Sequence, residues 1–257
     1  MMEATFVDYA VGYNVGKRRT LNEDFFGVYR ANNLEGFVIA DGMGGHNAGD
    51  VASKIAVRLA MEIMEDWEVK RSNPSSQQTT ALISKMVRDI NMGVFTYSVV
   101  NPACSGMGST FVAILHIGHK VFATWVGDSR IYGIKDNKLT QISKDDSYVQ
   151  MLIDLGQITP EEARQHPKKN AITKAIGTES SIVASVVEVT EDYDGYLLCS
   201  DGLTNMLTEE RIEAKLEQGG FKNVEFNLKV ICDALVKDAN KNGGLDNISL
   251  ILVRGKK

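Results

Sequence analysis

Acidic residues stand beside the predicted strands of this 257-residue chain, and their positions define five sites. Three sites follow a strand and two precede one. In chain order they are Glu23 with Asp24, then Asp41, Asp128, Asp201 and Asp246. In an antiparallel sheet the end of one strand and the start of its neighbour meet at the same edge. We therefore expect these five sites to converge at one end of one sheet system.

Clustered carboxylates of this kind predict a metal site. A single Asp-Gly pair after a strand is usually turn chemistry, but several carboxylates packed together repel unless a cation neutralises them. The expected ligands are oxygen atoms only, from the acids, the Gly42 carbonyl and water, and such hard donors favour Mg²⁺ or Mn²⁺ over zinc. Two such ions can activate a water and clamp a phosphoryl group. The pattern thus predicts hydrolysis of a phosphate ester.

The elements that must position these acids are read from hydrophobic spacing. Runs rich in β-branched or aromatic residues predict seven strands, at 25–29, 36–40, 110–117, 121–126, 183–189, 195–199 and 248–253. Turns at Gly118 to Lys120 and at Asp136-Asn137 predict hairpins, and hence antiparallel pairing. Apolar residues every four positions predict two helices, around 51–63 and 82–94, joined by a surface connection over 71–80.

Strands cluster with strands and the long helices form a pair, which favours an α+β layered sandwich over a βαβ repeat. No internal repeat and no low-complexity linker is visible, so residues 1–257 are expected to form a single domain. The net charge of −5 argues against nucleic-acid binding. Three isolated cysteines, no leader-like start and no long apolar run lead us to expect a cytoplasmic protein without membrane contact.

Eight strings place the chain beside a known family. They are RTLNEDFFGV, ADGMGGHNAG, MGST, VGDSRIY, LTQISKDDS, HPKKNAITKAIG, CSDGLTNML and GGLDNISLILV. In this order and over nearly the whole chain, the sequence resembles the metal-dependent protein phosphatases of type 2C, specifically the bacterial serine/threonine enzymes. The resemblance implies a four-layer α/β/β/α sandwich with two central antiparallel sheets.

The resemblance also implies roles for the acids, which hold two or three Mn²⁺ or Mg²⁺ ions. Asp41 matches the carboxylate that bridges two metals, and the Gly42 carbonyl is a further ligand. The other implied ligands are Asp201 and Asp246 for the first metal, Glu23 and Asp24 for the second, and Asp128 for the third.

The residues that handle the substrate are implied less evenly. Arg19 matches the arginine that grips the substrate phosphate, and a guanidinium suits this role because it can bind two oxygens at once. Animal members carry a His two residues after the bridging Asp, where this chain has Met43. His46 is a candidate general acid instead, although it could equally cap the following helix. A metal-bound water or solvent is the remaining proton source.

Two further segments are notable. Residues 152–177 correspond to the flap of the family, and their basic residues Lys168 and Lys169 could steer a phosphopeptide or form an ordinary solvated surface. Asp145-Asp146-Ser147 departs from the usual Asp-His-Ser, from which we expect a local packing change. The sequon at Asn247 is without meaning in a cytoplasmic chain.

The resulting prediction is hydrolysis of phosphoserine and phosphothreonine in proteins by a metal-bridging hydroxide. By family implication the partners are phosphorylated proteins and a cognate serine/threonine kinase whose action the enzyme reverses, and the protein is expected to be a monomer. The competing class is a non-catalytic module that keeps the fold and only recognises phosphoproteins. The presence of all the acids and Arg19 argues against that alternative.

Overall fold

The computed structural model describes residues 6–31, 33–44, 48–67 and 74–255, which contain eleven strands and seven α-helices. The strands are β1 (Phe6–Asn14), β2 (Asp24–Ala31), β3 (Leu34–Met43), β4 (Gly108–Ser109), β5 (Phe111–Ile117), β6 (Lys120–Val126), β7 (Arg130–Lys135), β8 (Lys138–Gln141), β9 (Ser185–Val189), β10 (Gly195–Cys199) and β11 (Ile248–Gly255). The helices are α1 (Gly49–Asp66), α2 (Ser76–Val100), α3 (Tyr148–Asp154), α4 (Pro160–Gln165), α5 (Asp201–Thr204), α6 (Glu209–Gln218) and α7 (Leu228–Lys241).

The strands form two antiparallel sheets. One has the order β1-β11-β10-β7-β8, and the other has the order β2-β3-β5-β6-β9 with β4 paired to β3. The predicted hairpins are present as β5–β6 and β7–β8, and the second turns through Asp136 and Asn137, both at positive φ. Short loops between sequential strands explain this pairing.

Side chains that point alternately to the two faces of each strand explain how the sheets and helices stack in layers. On β3, Phe37 and Ile39 face the other sheet, whereas Val38 and Ala40 face the helices, and all four are fully buried. Helices α1 and α2 cover the outer face of the β3 sheet, while α6 and α7 cover the outer face of the other. Successive side chains of a strand point to opposite faces, so each sheet buries both sides. The predicted α+β sandwich with α/β/β/α layers is therefore confirmed.

The two long helices are also confirmed, but the connection predicted over 71–80 is too long. Helix α2 already begins at Ser76, because the Ser75 hydroxyl accepts from the Gln78 amide while the Gln78 side chain accepts from the Ser75 amide. This capping box starts the helix inside the polar run. Within the segments listed above, no helix is long and apolar enough to cross a bilayer.

Strand β1 is absent from the sequence prediction. It pairs with β11 from Phe6 to Asn14 and forms an edge of its sheet. A side chain at Gly12 would come within 3.0 Å of Leu250 and Val236, so the strand uses a residue without a side chain where helix α7 packs closely. A glycine inside a strand weakens the alternating pattern of apolar and polar residues by which strands are recognised in a sequence.

Candidate metal centre

A cavity of about 300 Å³ lies at one edge of the sandwich and gathers the predicted site residues. Its lining consists of Arg19, Glu23, Asp41, Gly42, Met43, Gly44, Thr110, Asp128, Asn170, Ile172, Asp201 and Asp246. The acids come from five separate parts of the chain, as the strand polarity predicted. Asp24 is buried next to this group but does not line the cavity.

Asp41 is held near the end of β3 by Thr110. The Asp41 amide donates to Thr110 Oγ1 at 2.9 Å, and the Thr110 amide donates to the Asp41 carbonyl at 2.8 Å. Burial, followed by the charges of Asp24 and Asp201, raises the pKa of Asp41 well above its usual range. A buried carboxylate surrounded by like charges favours a proton or a cation as a partner.

Gly42 is required by close backbone packing. A Cβ at this position would lie 1.9 Å from the Gly49 carbonyl oxygen and 2.7 Å from the Glu23 carbonyl oxygen. The Gly42 amide donates to the Glu23 carbonyl at 3.1 Å. Because only glycine allows this approach, the start of α1 can lie directly against the acidic edge.

Asp24 is buried behind the residues that line the cavity, and its carboxylate contacts other protein groups. It is 1% exposed, its Oδ2 accepts from the Ser200 hydroxyl at 2.8 Å, and its Oδ1 is buried without a hydrogen-bond partner. Burial raises the pKa of Asp24 to about 7, although the nearby side chains of Ser249 and Ser200 oppose this shift. An orphaned buried carboxylate oxygen is costly unless a charged partner approaches.

Asp128 and Asp201 both line the cavity and follow strands of different sheets, β6 and β10. Burial raises the pKa of Asp128 to about 7, and the charge of Asp201 adds to that effect. Burial, then the charge of Asp246, raises the pKa of Asp201 to about 6. Asp201 Oδ2 accepts from Asn205 Nδ2 at 2.9 Å, whereas Asp201 Oδ1 is buried without a partner.

Arg19 spans the mouth of the cavity. Its Nη2 donates to Asp246 Oδ2 at 2.9 Å and its Nη1 to Glu23 Oε2 at 3.4 Å, with the side chain 46% exposed. Burial raises the pKa of Glu23, and the charge of Arg19 partly reverses that shift. The only cationic side chain on the described cavity lining therefore stands next to two predicted metal ligands.

Asn247 is a positioning residue that the sequence reasoning missed. Its Oδ1 accepts from the Glu23 amide at 2.8 Å, and its Nδ2 donates to the carbonyls of Val15 at 2.9 Å and Leu21 at 3.0 Å. It is 4% exposed. Its place immediately after Asp246 was the available signal, because a buried amide next to a ligand often orients the surrounding loop.

The donor set fits hard divalent cations. Carboxylates and Gly42 line one polar cavity, the buried Oδ1 of Asp201 among them has no hydrogen-bond partner, and a second such oxygen belongs to Asp24 beside the cavity. Over the described part of the chain, no three His, Cys, Asp or Glu side chains are already grouped so as to hold an ion. Oxygen ligands that line a cavity suit Mg²⁺, which keeps several of its waters when it is bound to a protein. The residues fit Mg²⁺ or Mn²⁺ better than zinc.

The remaining residues named from the sequence differ in where they lie relative to the cavity. Met43 lines the cavity at the position where animal relatives have a His. His46 lies outside the described residues. Within the predicted flap, Lys169 and Arg164 line an adjoining cavity of about 500 Å³, which shares Asp128 and Asp201 with the first.

Comparison with known proteins gives a consistent result. Residues 11–226 match the family model described as protein phosphatase 2C. A serine/threonine phosphatase of Listeria welshimeri is 37% identical over 240 residues, which cover 93% of this chain and 92% of that protein.

Solved structures agree with the sequence comparison. The serine/threonine phosphatase Stp1 of Staphylococcus aureus has a TM-score of 0.88 and 33% identity, covering 100% of this chain and 98% of that one. The catalytic domain of the phosphatase PstP, solved in complex with two manganese ions, has a TM-score of 0.78 and 33% identity. The match covers 97% of this chain and 98% of that domain.

Proposed function

Because this chain belongs to the protein phosphatase 2C family and is a serine/threonine phosphatase, we propose that it hydrolyses phosphoserine and phosphothreonine in proteins at the cavity around Asp41. The observation that supports this most is the placement of Asp41, Asp128, Asp201 and Asp246 around one cavity with Arg19 at its mouth. The acids attract divalent cations and the guanidinium attracts a phosphate.

The ligands of the cations are proposed as a set. They are Asp41, the Gly42 carbonyl, Asp201 and Asp246, joined by Glu23, by Asp24 from its buried position, and by Asp128 for a third ion. When bound, Mn²⁺ or Mg²⁺ supplies a water activated for attack and neutralises charge on the phosphoryl group. The PstP domain, with its two manganese ions, supports this assignment.

The chain itself orients the substrate. Arg19 is long, partly exposed and anchored on Asp246 and Glu23, so its guanidinium can turn toward a phosphate that enters the cavity. Two guanidinium nitrogens can bind two phosphoryl oxygens at once, which fixes the phosphorus for in-line attack. Thr110 keeps Asp41 in place during this step through its two hydrogen bonds to the Asp41 backbone.

The leaving serine or threonine oxygen requires a proton. Met43, which lies on the cavity, has no proton to give. His46 remains our candidate for this general acid. Solvent that enters the cavity mouth is the alternative source.

The wider setting of the enzyme is proposed from its family. We place it in the cytoplasm as a monomeric single domain of residues 1–257 with a flap over 152–177, opposing a cognate serine/threonine kinase. The similarity over 92% of the Listeria phosphatase and 98% of the Staphylococcus one supports the single domain, since both are matched over almost their whole length.

The test is hydrolysis of a phosphothreonine peptide in Mn²⁺, with and without chelator. We expect chelator to abolish turnover and Asp41→Asn to lower it by about a thousandfold, because a bound metal contributes several kcal/mol to such a transition state. The matched control is Asp89→Asn, because Asp89 forms an exposed ion pair with Lys85 on α2 and does not line the cavity. Chelator-resistant turnover, or full activity in Asp41→Asn, would refute the proposal.

A further inference from the structure

Asp146 holds the turn that carries Asp128. The Asp146 amide donates to the Gly127 carbonyl at 2.8 Å, and Asp146 Oδ2 accepts from the Gly127 amide at 3.2 Å. Gly127 has φ +100°, and a Cβ there would lie 2.7 Å from Thr110 Cγ2. The turn is therefore tight and confined, and Asp146 satisfies both backbone polar groups of its glycine.

The same residue holds a second piece of the cavity wall. Asp146 Oδ1 accepts from Lys174 Nζ at 2.8 Å, and the Asp146 carbonyl accepts from the Thr173 amide at 2.7 Å. Thr173 and Lys174 follow Asn170 and Ile172, both of which line the cavity. The two carboxylate oxygens of Asp146 thus contact two different segments.

Residues 170–177, the last part of the predicted flap, are also hydrogen-bonded to segments other than the one that contains Asp146. The Ile176 amide donates to the Ser109 carbonyl at 2.8 Å, and the Ser109 amide donates back to the Ile176 carbonyl at 3.0 Å. The Gly177 amide donates at 2.8 Å to Oδ1 of Asn91, a fully buried residue of α2. Residues 170–177 therefore form a wall hydrogen-bonded along both edges.

We propose that Asp146 is a positioning residue, which fixes the turn that carries Asp128 and the wall of residues 170–177 relative to each other. Its side chain is 13% exposed and that of Lys174 is 46% exposed, so the pair sits at the edge of the buried region. A largely shielded carboxylate is stabilised by partners on both oxygens. The consequence for catalysis depends on the proposed function, whereas the structural linkage does not.

The two links can be separated by substitution. Asp146→Asn keeps one side-chain acceptor for the Gly127 amide but removes the charge that binds Lys174, so it should resemble Lys174→Met. Asp146→Ala removes both side-chain links, to the Gly127 amide and to Lys174, and leaves the two backbone hydrogen bonds of residue 146 in place. Lys215→Met is the control, because Lys215 of α6 forms an ion pair of similar length, 3.0 Å, with Asp238 of α7, and neither residue lines the cavity.

The structural part is tested by amide hydrogen exchange on the metal-free protein. We expect Asp146→Ala to speed exchange at Gly127 and Thr173, Asp146→Asn and Lys174→Met to speed it mainly at Thr173, and Lys215→Met to change neither. Unchanged exchange at both amides in Asp146→Ala would overturn the inference whether or not the protein is a Mn²⁺ phosphatase.

The functional part is tested by calorimetric Mn²⁺ titration and by phosphopeptide kinetics. Loss of a partner that orients a ligand typically costs about tenfold to a hundredfold in metal affinity, and we expect Asp146→Ala to weaken Mn²⁺ binding by that factor. Asp146→Asn and Lys174→Met should instead raise KM with little change in kcat or Mn²⁺ affinity. Wild-type Mn²⁺ affinity and wild-type KM in Asp146→Ala would refute this part. Failure of the wild type to bind Mn²⁺ would refute the proposed function and this part with it.

Discussion

Asp24 lies directly opposite Asp41 in the antiparallel register of β2 and β3. Directly opposed residues project to the same face of a sheet, so two adjacent strands each place an acid on the same side at the cavity edge. The charge of Asp24 is one of the factors that raise the pKa of Asp41. The backbone pairing itself therefore builds a concentration of negative charge.

Stability should depend on pH through these acids. Burial raises the pKa of Asp24 to about 7, whereas the same carboxyl titrates at about 3.9 when unfolded. The folded state thus binds more protons between these values, and this contribution to stability is complete below about pH 4 and lost as pH rises through about 7. Buried His116, whose pKa is lowered by burial, works in the opposite direction.

A comparison of variants isolates the acid. In the metal-free proteins, we expect the melting temperature of Asp24→Asn minus that of the wild type to increase as pH rises from 5.5 to 8. The increase should be about 2 to 4 °C for each kcal/mol by which ionisation of Asp24 destabilises the wild type. Saturating Mn²⁺ at pH 8 should raise the wild-type melting temperature, because binding to the folded state alone stabilises it. A difference between the two proteins that does not vary with pH would contradict the raised pKa of Asp24.

Arg19 should act on the substrate and not on the metals. We expect Arg19→Ala to lower kcat/KM for a phosphothreonine peptide by about a hundredfold, the scale of a lost electrostatic contact to a transferring group. Mn²⁺ affinity by calorimetry should be retained. Arg19→Lys keeps the charge without the two-pronged contact and should recover only part of the rate.

The neighbouring Arg18 provides the control for charge alone. It lies in the same basic run but does not line the cavity, so Arg18→Ala should leave kcat/KM near the wild-type value. Loss of Mn²⁺ binding in Arg19→Ala would show that the guanidinium supports the metal ligands instead of the phosphate.

Asn247 should matter for stability as well as for activity. Asn247→Ala removes hydrogen bonds to the Glu23 amide and to the carbonyls of Val15 and Leu21, leaving buried polar groups without partners. We expect the free energy of unfolding to fall by about 3 kcal/mol, measured by urea denaturation. Asn223→Ala removes one exposed hydrogen bond to the Glu225 amide and should change it by less than about 0.5 kcal/mol.

The sequence predicts the acidic edge well because strand ends are marked locally. The runs before Asp41, Asp128 and Asp201 are continuous and apolar, and all three strands are present in the structure. Antiparallel pairing then brings strand ends and strand starts together without further information. Glu23 and Asp246 precede strands of different sheets, β2 and β11, so they reach the same cavity through the packing of one sheet against the other, which strand pairing alone does not predict.

Other features depend on tertiary contacts and leave little trace in the sequence. Asn247 resembles a surface sequon, and only the folded chain shows its three bonds to a distant loop. Likewise, the link from Asp146 to Gly127 and Lys174 joins segments separated by 19 and 28 residues. Local propensity does not report such contacts.

The most direct test is anomalous diffraction from a crystal grown with Mn²⁺, collected near the manganese absorption edge. We predict at least two anomalous peaks in the cavity, with Asp41 bound to both ions and the Gly42 carbonyl, Asp201 and Asp246 among the remaining ligands. Crystals of Asp41→Asn should show weaker peaks or none. A wild-type cavity without anomalous peaks at saturating Mn²⁺, or ions bound away from Asp41, would contradict the assignment of these acids as the metal centre.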